Sequence, residues 1–285
     1  MPLPLSIATV CKDSGATIGR MLDSVAGLGS EVVAVDSGSA DGTIGVLERA
    51  GAAVIRSPWL GHIATKQKAL EACTQPWVLA LDSDESLTPE LRRSIEGALR
   101  ADDPAIGGYT INRKVYYRGR PLNFAWQPEP RLRLIRRTRA AWTGLDPHDR
   151  LELLPTVALG RGTVIGRLAG DLRHDSIASF ADFLAKQASH ARAMARSLHA
   201  AGERGSVVKL VTSPAGALLK QLIIKQAWRD GWPGWLAAGS TAAATLMKHI
   251  CLVELSRAGA DPAPGAPTEA PSPNGGPSGA LRPPP

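Results

Sequence analysis

The sequence predicts an α/β protein: a mixed, mostly parallel sheet with helices on both sides, followed by a helical C-terminal extension. Three observations point there. In the first part of the chain, short β-branched apolar runs alternate with segments of helical period, the βαβαβαβ order that calls for a parallel sheet. The run Trp77-Val78-Leu79-Ala80-Leu81 is apolar without alternation, as a strand covered on both faces must be, and it ends abruptly in Asp82-Ser83-Asp84-Glu85. From residue 176 onward, apolar residues recur at helical spacing.

Each element follows from local signals. Residues 5–10 form an apolar strand that Lys12-Asp13-Ser14-Gly15 breaks before the helical pattern Ile18, Met21, Leu22, Val25. A second strand, 31–36, ends in Asp36, and a helix through Val46, Leu47 and Ala50 follows. Residues 53–55 make a third short strand and 63–72 a helix that leads into the strand at 77. Thr88 and Pro89 read as N-cap and first position of a helix over 89–101. A strand pair is expected at 109–111 and 113–117. Basic and apolar residues alternate over 131–137, which predicts a strand with a cationic face of Arg131, Arg133 and Arg137. That face could grip phosphate bidentately or simply be solvated.

The C-terminal half reads as helical. A capping signal at 176–179 opens a helix that runs through Leu198. A basic amphipathic helix over 207–228, interrupted near Pro214, carries Lys209, Lys220, Lys225 and Arg229 beside Leu218, Leu219, Leu222, Ile223 and Ile224. Gly231-Trp232-Pro233-Gly234-Trp235 breaks it, and an Ala-rich helix continues over 236–255. The uncharged run 231–247 is short of strongly apolar residues and is not read as a membrane span. Basic helices near Trp228, Trp232 and Trp235 suit an anionic membrane interface, the alternative being a hairpin that packs on itself. The expected organisation is a nucleotide-binding and catalytic unit over 1–170, a helical region over 171–258 and a Pro/Gly-rich disordered tail over 259–285.

Composition narrows the class. With 285 residues, one large domain plus a helical appendage is accommodated, and a net charge of +7 favours anionic partners. Three widely spaced cysteines, Cys11, Cys73 and Cys251, offer neither a disulfide frame nor zinc spacing. Residues 1–6 show no basic segment leading into a long apolar run, so a cytoplasmic location is expected, peripheral to the inner face of the membrane.

The chemistry is expected where strands end, because ligands of doubly wound sheets bind outside the carboxyl ends of strands. Asp82 and Asp84, two residues apart on extended chain, can share one divalent cation and one diphosphate. Mg²⁺ or Mn²⁺ suits them, since hard cations take one or two carboxylates and fill their shell with phosphate oxygens and water. A solvated acidic turn that starts a helix is the plainer alternative. In the loop after the second strand, Ser37 and Gly38 let the backbone approach a ligand, while Asp36 either reaches ribose or base or closes an Asx-turn. The turn after the first strand lacks G-x-G-x-x-G, and no G-x-x-x-x-G-K-[ST] occurs, which removes the dinucleotide-oxidoreductase and P-loop classes.

The opening strand, V-D-S-G-S-A-D-G-T at 35–43 and L-D-S-D at 81–84 resemble, in order and spacing, the three nucleotide-sugar motifs of inverting family 2 glycosyltransferases with the GT-A (Rossmann-like) fold. The resemblance implies that Asp13 and Asp36 contact the base of a nucleotide-sugar donor, that Asp82 lies near ribose and metal, and that Asp84 binds the metal. Lys12 or Lys66 would help hold the diphosphate. Trp142 through Glu152 is similar to the W-x-x-x-V-H-E segment of the lipopolysaccharide-core, WaaE-type glucosyltransferase subgroup, with Asp149 at the family's Glu position beside His148. Asp149 is the expected base, Asp146 its competitor, and His148 would orient the acid or touch the acceptor. Leu172-Arg173-His174 resembles the family's L-x-H segment, which would bring His174 toward metal or diphosphate. The partners so implied are a nucleotide-sugar donor, UDP-linked by analogy, and a glycolipid or lipopolysaccharide-core acceptor at the cytoplasmic membrane surface. A non-catalytic sugar-nucleotide or membrane-binding module is the competing reading. Nucleic acid is not an expected partner: the basic residues are scattered and no zinc-finger, RNP or basic-heptad pattern is present.

Overall fold

The computed structural model describes residues 2–145, 148–154 and 164–258. Its first part is the expected alternation: β1 (Leu3–Cys11), α1 (Ile18–Val25), β2 (Gly29–Asp36), α2 (Thr43–Arg49), β3 (Ala53–Arg56), α3 (His62–Glu71) and β4 (Trp77–Asp82). These strands lie parallel in the order β3-β2-β1-β4. After β5 (Glu85–Leu87) and α4 (Pro89–Ala101), the chain adds β6 (Ile106–Tyr117), the two-residue β7 (Arg120–Pro121) and β8 (Pro130–Arg136). β9 (Ala140–Leu145) and β10 (His148–Leu153) form a separate antiparallel hairpin, and β11 (Val164–Ile177) returns to the main sheet. That sheet continues β4-β8-β6-β11-β5, with β8 antiparallel to both neighbours and β11 parallel to β6.

Alternation along the central strands sorts the core. Leu5, Ile7, Trp77, Leu79 and Leu81 face α1 and α4, where Ile18, Met21, Leu22, Leu91, Ile95 and Leu99 complete one apolar layer. Ala8, Val33, Val35, Val78 and Ala80 face the other way, toward Ala69 and Leu70 of α3 and toward Trp142 and Leu151 of the hairpin. By the same parity Asp82, the last residue of β4, turns toward α3 and the hairpin. The position of the site is thus set by the period of two that buries the strand.

α4 begins as expected, with the Thr88 hydroxyl accepting from Leu91 N–H and Pro89 in the first turn. Three expectations change. The strand pair at 109–117 is one continuous strand, because β6 stays paired to β8 along its first half and to β11 along most of its length. The expected domain boundary at 170 falls inside β11, which pairs with β6 on both sides of it. There Gly170, at φ +86°, lies so close to α4 that a Cβ would stand 2.3 Å from Leu91 N. Pro214 does not interrupt its helix. α5 (Phe180–Ala200) is followed by α6 (Val207–Leu219), which passes through Pro214 and continues as a π-helical turn over Lys220–Ile224; the chain reverses at Gln226 before a short 3-10 turn and α7 (Trp232–Ala258).

α7 packs against α5 and α6, and a third apolar cluster of Val115, Tyr117, Leu122, Ala125, Ile177, Ala227 and Ala237 joins this helical region to the sheet. Val207–Ile224 and Trp232–Ala258 are long and apolar enough to cross a membrane by length and composition alone. The expected disordered tail lies outside the described residues.

Candidate active site

The loops that follow β1, β2 and β4 interlock at the carboxyl edge of the sheet. Asp13 accepts from Ala40 N–H at 2.8 Å and donates its own N–H to Ser39 Oγ at 2.9 Å. Gly15 N–H reaches Asp41 at 2.9 Å, and Ser14 Oγ lies 2.9 Å from Ser83 Oγ, in the turn between the two acids. Asp36 ends β2 with its carboxylate directed into its own loop. It accepts from Gly38 and Ser39 N–H at 3.0 Å each and from the Ser39 hydroxyl, the Asx-turn arrangement. Burial pushes its pKa up, but these hydrogen bonds hold it below the usual carboxylate range. Asp36 is 1% exposed, and its oxygens close the turn that shapes the loop. Gly38, at φ +89°, permits the turn. Ser37 keeps a buried hydroxyl with no hydrogen-bond partner among the described residues.

Asp82 sits in a dense ion network. Lys66 Nζ, from α3, is 2.7 Å from Asp82 Oδ1 and 2.8 Å from Asp149 Oδ2 of the hairpin. Arg133 of β8 reaches Asp82 Oδ2 at 2.9 Å and Glu85 at 2.7 Å, while Glu85 also accepts from Asp82 N–H at 3.0 Å. Trp142 lies beneath both cations, its ring centroid 4.7 Å from Lys66 Nζ and 5.8 Å from the Arg133 guanidinium carbon. Burial opposes ionisation of Asp82, yet Lys66 and Arg133 more than offset it and hold its pKa well below the usual carboxylate range. Lys66 is held above the ordinary lysine value despite burial, because Asp82 and Asp149 face it.

Asp84 is different. Asp82, Glu85, Glu129 and Asp149 each have a lysine or arginine within 3.6 Å. The close side-chain partner of Asp84 among the described residues is His174 Nε2 of β11, at 3.3 Å. Burial works against its ionisation, but the imidazole overcomes this and lowers its pKa. Asp84 thus has no lysine or arginine within 4.0 Å among the described residues, Lys186 lowering its pKa only from farther away, and it sits beside a histidine whose second ring nitrogen, Nδ1, is buried without a hydrogen-bond partner among them. Among the described residues no group of three or more His, Cys, Asp or Glu side chains forms a closed metal cage. The donor set therefore fits a hard cation that takes little from the protein and the rest from phosphate and water.

The cationic strand face is divided. Arg133 is buried against Asp82 and Glu85, while Arg131, its side chain 39% exposed, is paired with Glu129 at 2.5 Å, a carboxylate it shares with Arg113. Arg137 begins a 3-10 turn instead of extending the face. Asp146 and the His148 side chain lie outside the described residues. Two members of the network escaped sequence reasoning: Glu85, fully buried, and Arg113, which pairs with Glu129 at 2.6 Å and approaches Glu85 at 3.6 Å. Their signal was the match of Arg113 and Arg133, on successive long strands, with the third acid after the apolar run.

Comparison with known proteins decides the kinship. The sequence pattern described as "Glycosyl transferase family 2" matches residues 6–150, from the opening strand to just past Asp149. The chain belongs to glycosyl transferase family 2. It is 30% identical over 246 residues to the lipopolysaccharide core biosynthesis glycosyltransferase LpsC of Rhizobium meliloti, covering 83% of this chain and 87% of that one. An uncharacterized glycosyltransferase of Rickettsia typhi is 28% identical over 88% of this chain and 87% of its own length. Among solved structures, the mannosyltransferase PcManGT of Pyrobaculum calidifontis, in complex with GDP-Man and Mn²⁺, is similar at a TM-score of 0.48 with 14% identity over 88% of each chain. Glucosyl-3-phosphoglycerate synthase of Mycobacterium tuberculosis is similar at 0.45 with 20% identity, over 72% of this chain and 82% of that one. As a family 2 member the protein is a glycosyltransferase, with a mixed sheet whose interlocked loops, acidic turn and hairpin acid meet at one edge.

Proposed function

We propose that this glycosyltransferase transfers a sugar, with inversion, from a nucleotide-sugar donor to a hydroxyl of a membrane-held glycolipid, with lipopolysaccharide inner core as the acceptor class. The observation that carries the reading is the contrast between the two acids after β4: Asp82 is saturated by Lys66 and Arg133, whereas Asp84 has only His174 in close contact among the described residues, with Lys186 acting from farther away. Asp84 and His174 would hold Mg²⁺ or Mn²⁺, which when bound offsets the charge that collects on the departing diphosphate.

The chain's own residues do the rest. Asp13 and the loop of Ser37 and Gly38 line the base and ribose end, and Asp36 keeps that loop in shape. Asp149 takes the proton from the acceptor hydroxyl as its oxygen bonds to the anomeric carbon, and the bond from that carbon to the diphosphate breaks. Lys66 holds the Asp149 carboxylate beside Asp82, fixed in place before the acceptor arrives. Support for a lipid-borne acceptor is the family relationship to a lipopolysaccharide core enzyme and the C-terminal helices. There Val208, Val211, Ile223, Ile224, Trp228 and Trp232 are all more than half exposed, with Lys209, Lys220, Lys225 and Arg229 interspersed, a match to anionic headgroups over an apolar layer.

A nucleotide-sugar panel with and without Mn²⁺ tests the reading. One donor should raise the unfolding temperature only with the metal, and Asp84→Ala should abolish that rise. A metal-independent rise that survives Asp84→Ala would remove the metal assignment.

A further inference from the structure

Between β6 and the π-helical corner lies a cleft of about 510 Å³ that the catalytic network does not use. Its size falls in the range of roughly 300–1,000 Å³ typical of small-ligand sites. The lining contains two lysines, Lys114 and Lys225, four side-chain amides, the Phe124 ring and no carboxylate. Strand alternation sends Asn112 and Lys114 to the face opposite Arg113, whose guanidinium joins the Asp82 network, so this is a second site on the far side of the same strand.

Part of the cleft is prearranged. Asn112 donates to Gln127 at 2.9 Å and to Asp171 at 2.6 Å, Gln127 donates to the Arg113 carbonyl, and Lys114 is paired to Asp171 at 2.6 Å. The opposite wall is open to a ligand: Lys225 has no carboxylate within 4.0 Å among the described residues, and Asn123 presents an exposed amide. Amides match sugar hydroxyls and an unpaired ammonium matches phosphate, while the Phe124 ring already carries the Arg229 guanidinium, 4.2 Å from its centroid, a further cation beside the lining. Ile224 belongs both to this lining and, 72% exposed, to the apolar surface of the C-terminal helices. A headgroup in the cleft would therefore have its acyl chains beside Ile223 and Ile224.

We propose that this cleft binds a phosphorylated sugar of the lipid-borne acceptor, remote from the hydroxyl that is glycosylated. The inference rests on the glycolipid reading above but is separable from it. The cleft recognises the phosphomonoester sugar; the exposed helices recognise the membrane.

Cosedimentation of the full chain with vesicles tests both parts. The three compositions are phosphatidylcholine alone, phosphatidylcholine with phosphatidylglycerol, and phosphatidylcholine with a phosphorylated glucosamine lipid (lipid A) at matched charge. The wild type should favour the lipid A vesicles over the phosphatidylglycerol vesicles by about fivefold or more, since charge alone cannot separate them. Asn123→Ala, which leaves the charge unchanged, should remove that preference while changing phosphatidylglycerol binding by no more than about twofold, and Lys225→Met should remove it while weakening binding to both anionic vesicles by about the fivefold that one surface lysine is worth. Ile223→Ser combined with Ile224→Ser should weaken binding to every vesicle. A wild type without preference, or a preference that survives both cleft variants, overturns the proposal. If no vesicle is bound, the membrane reading fails, and the cleft is judged by ligand-observed NMR with soluble glucosamine 1-phosphate. Binding lost in both cleft variants upholds the site, and binding that is absent or unaffected by them overturns it.

Discussion

The ammonium of Lys66 lies 2.8 Å from Oδ2 of Asp149, so a helix on one side of the sheet and a hairpin that follows it by some eighty residues are joined at one charge. The same ammonium touches Asp82. Removing it by Lys66→Met leaves Asp82 with Arg133 but strips Asp149 of its cation. Because breaking a buried ion pair leaves a carboxylate uncompensated, the variant should lose about 3 kcal/mol of stability. Its turnover should fall more than its donor affinity, since the base is released and the nucleotide loops are untouched. Denaturant unfolding and steady-state transfer measure the two effects separately.

The pH dependence of this network has a definite sign. Asp82 is depressed below its ordinary value of 3.8, so its stabilisation is present above that value and is lost as pH falls through the lower, folded-state one. Lys66 is raised above 10.5, so its share is present below that value and is lost only as pH rises further. The stability gap between wild type and Asp82→Asn should stay constant from about pH 5 to about pH 9, and narrow in strong acid as Asp82 takes up a proton and in strong base as Lys66 loses one. A gap that closes near neutrality would show that the pair is not formed in solution.

Arg133→Met should be among the most destabilising changes in the chain. It leaves Glu85 fully buried with Arg113 as its remaining cation at 3.6 Å, and the expected cost is about 3–5 kcal/mol. Adding Glu85→Leu should recover part of this, because an apolar pair tolerates burial. The recovery stays incomplete: Asp82 N–H loses its acceptor, at about 1–3 kcal/mol. Urea unfolding of the single and double variants checks both the loss and the recovery.

Asp84→Asn and His174→Ala should each weaken the metal-dependent rise in unfolding temperature that the donor produces, Asp84→Asn the more strongly, because a histidine can be replaced by water in a hard cation's shell. Equal rises in all three proteins would separate these residues from metal binding.

The sheet up to β4 was legible because each strand is an apolar run closed by Gly, Asp or Ser, and each helix shows its buried stripe, as Ile18, Met21, Leu22 and Val25 do. Asp82, Asp84, Lys66 and Asp149 were legible as candidates because motif order supplied them; what each touches was not. Burial of Glu85 could not be read from a run of three acids, since its cations arrive from β6 and β8, long after it in the chain. β11 was hidden for a related reason. Its charged residues Asp171, Arg173 and Asp175 look solvated in one dimension, but they are satisfied by Lys114, by each other and by Arg20. Pro214 misled because an isolated proline signals a break, yet α6 carries it at a largely exposed surface and the chain turns only at Gln226.

The central claim is that Asp149 is the base, and single-turnover transfer by Asp149→Asn tests it most directly, with donor affinity measured on the same protein. The amide keeps an oxygen for Lys66, so the fold and the donor site should persist. Turnover should fall by about 10²–10⁴ while donor affinity stays within about threefold of wild type. Turnover at the wild-type level, or a loss of donor affinity as large as the loss of turnover, would contradict the assignment.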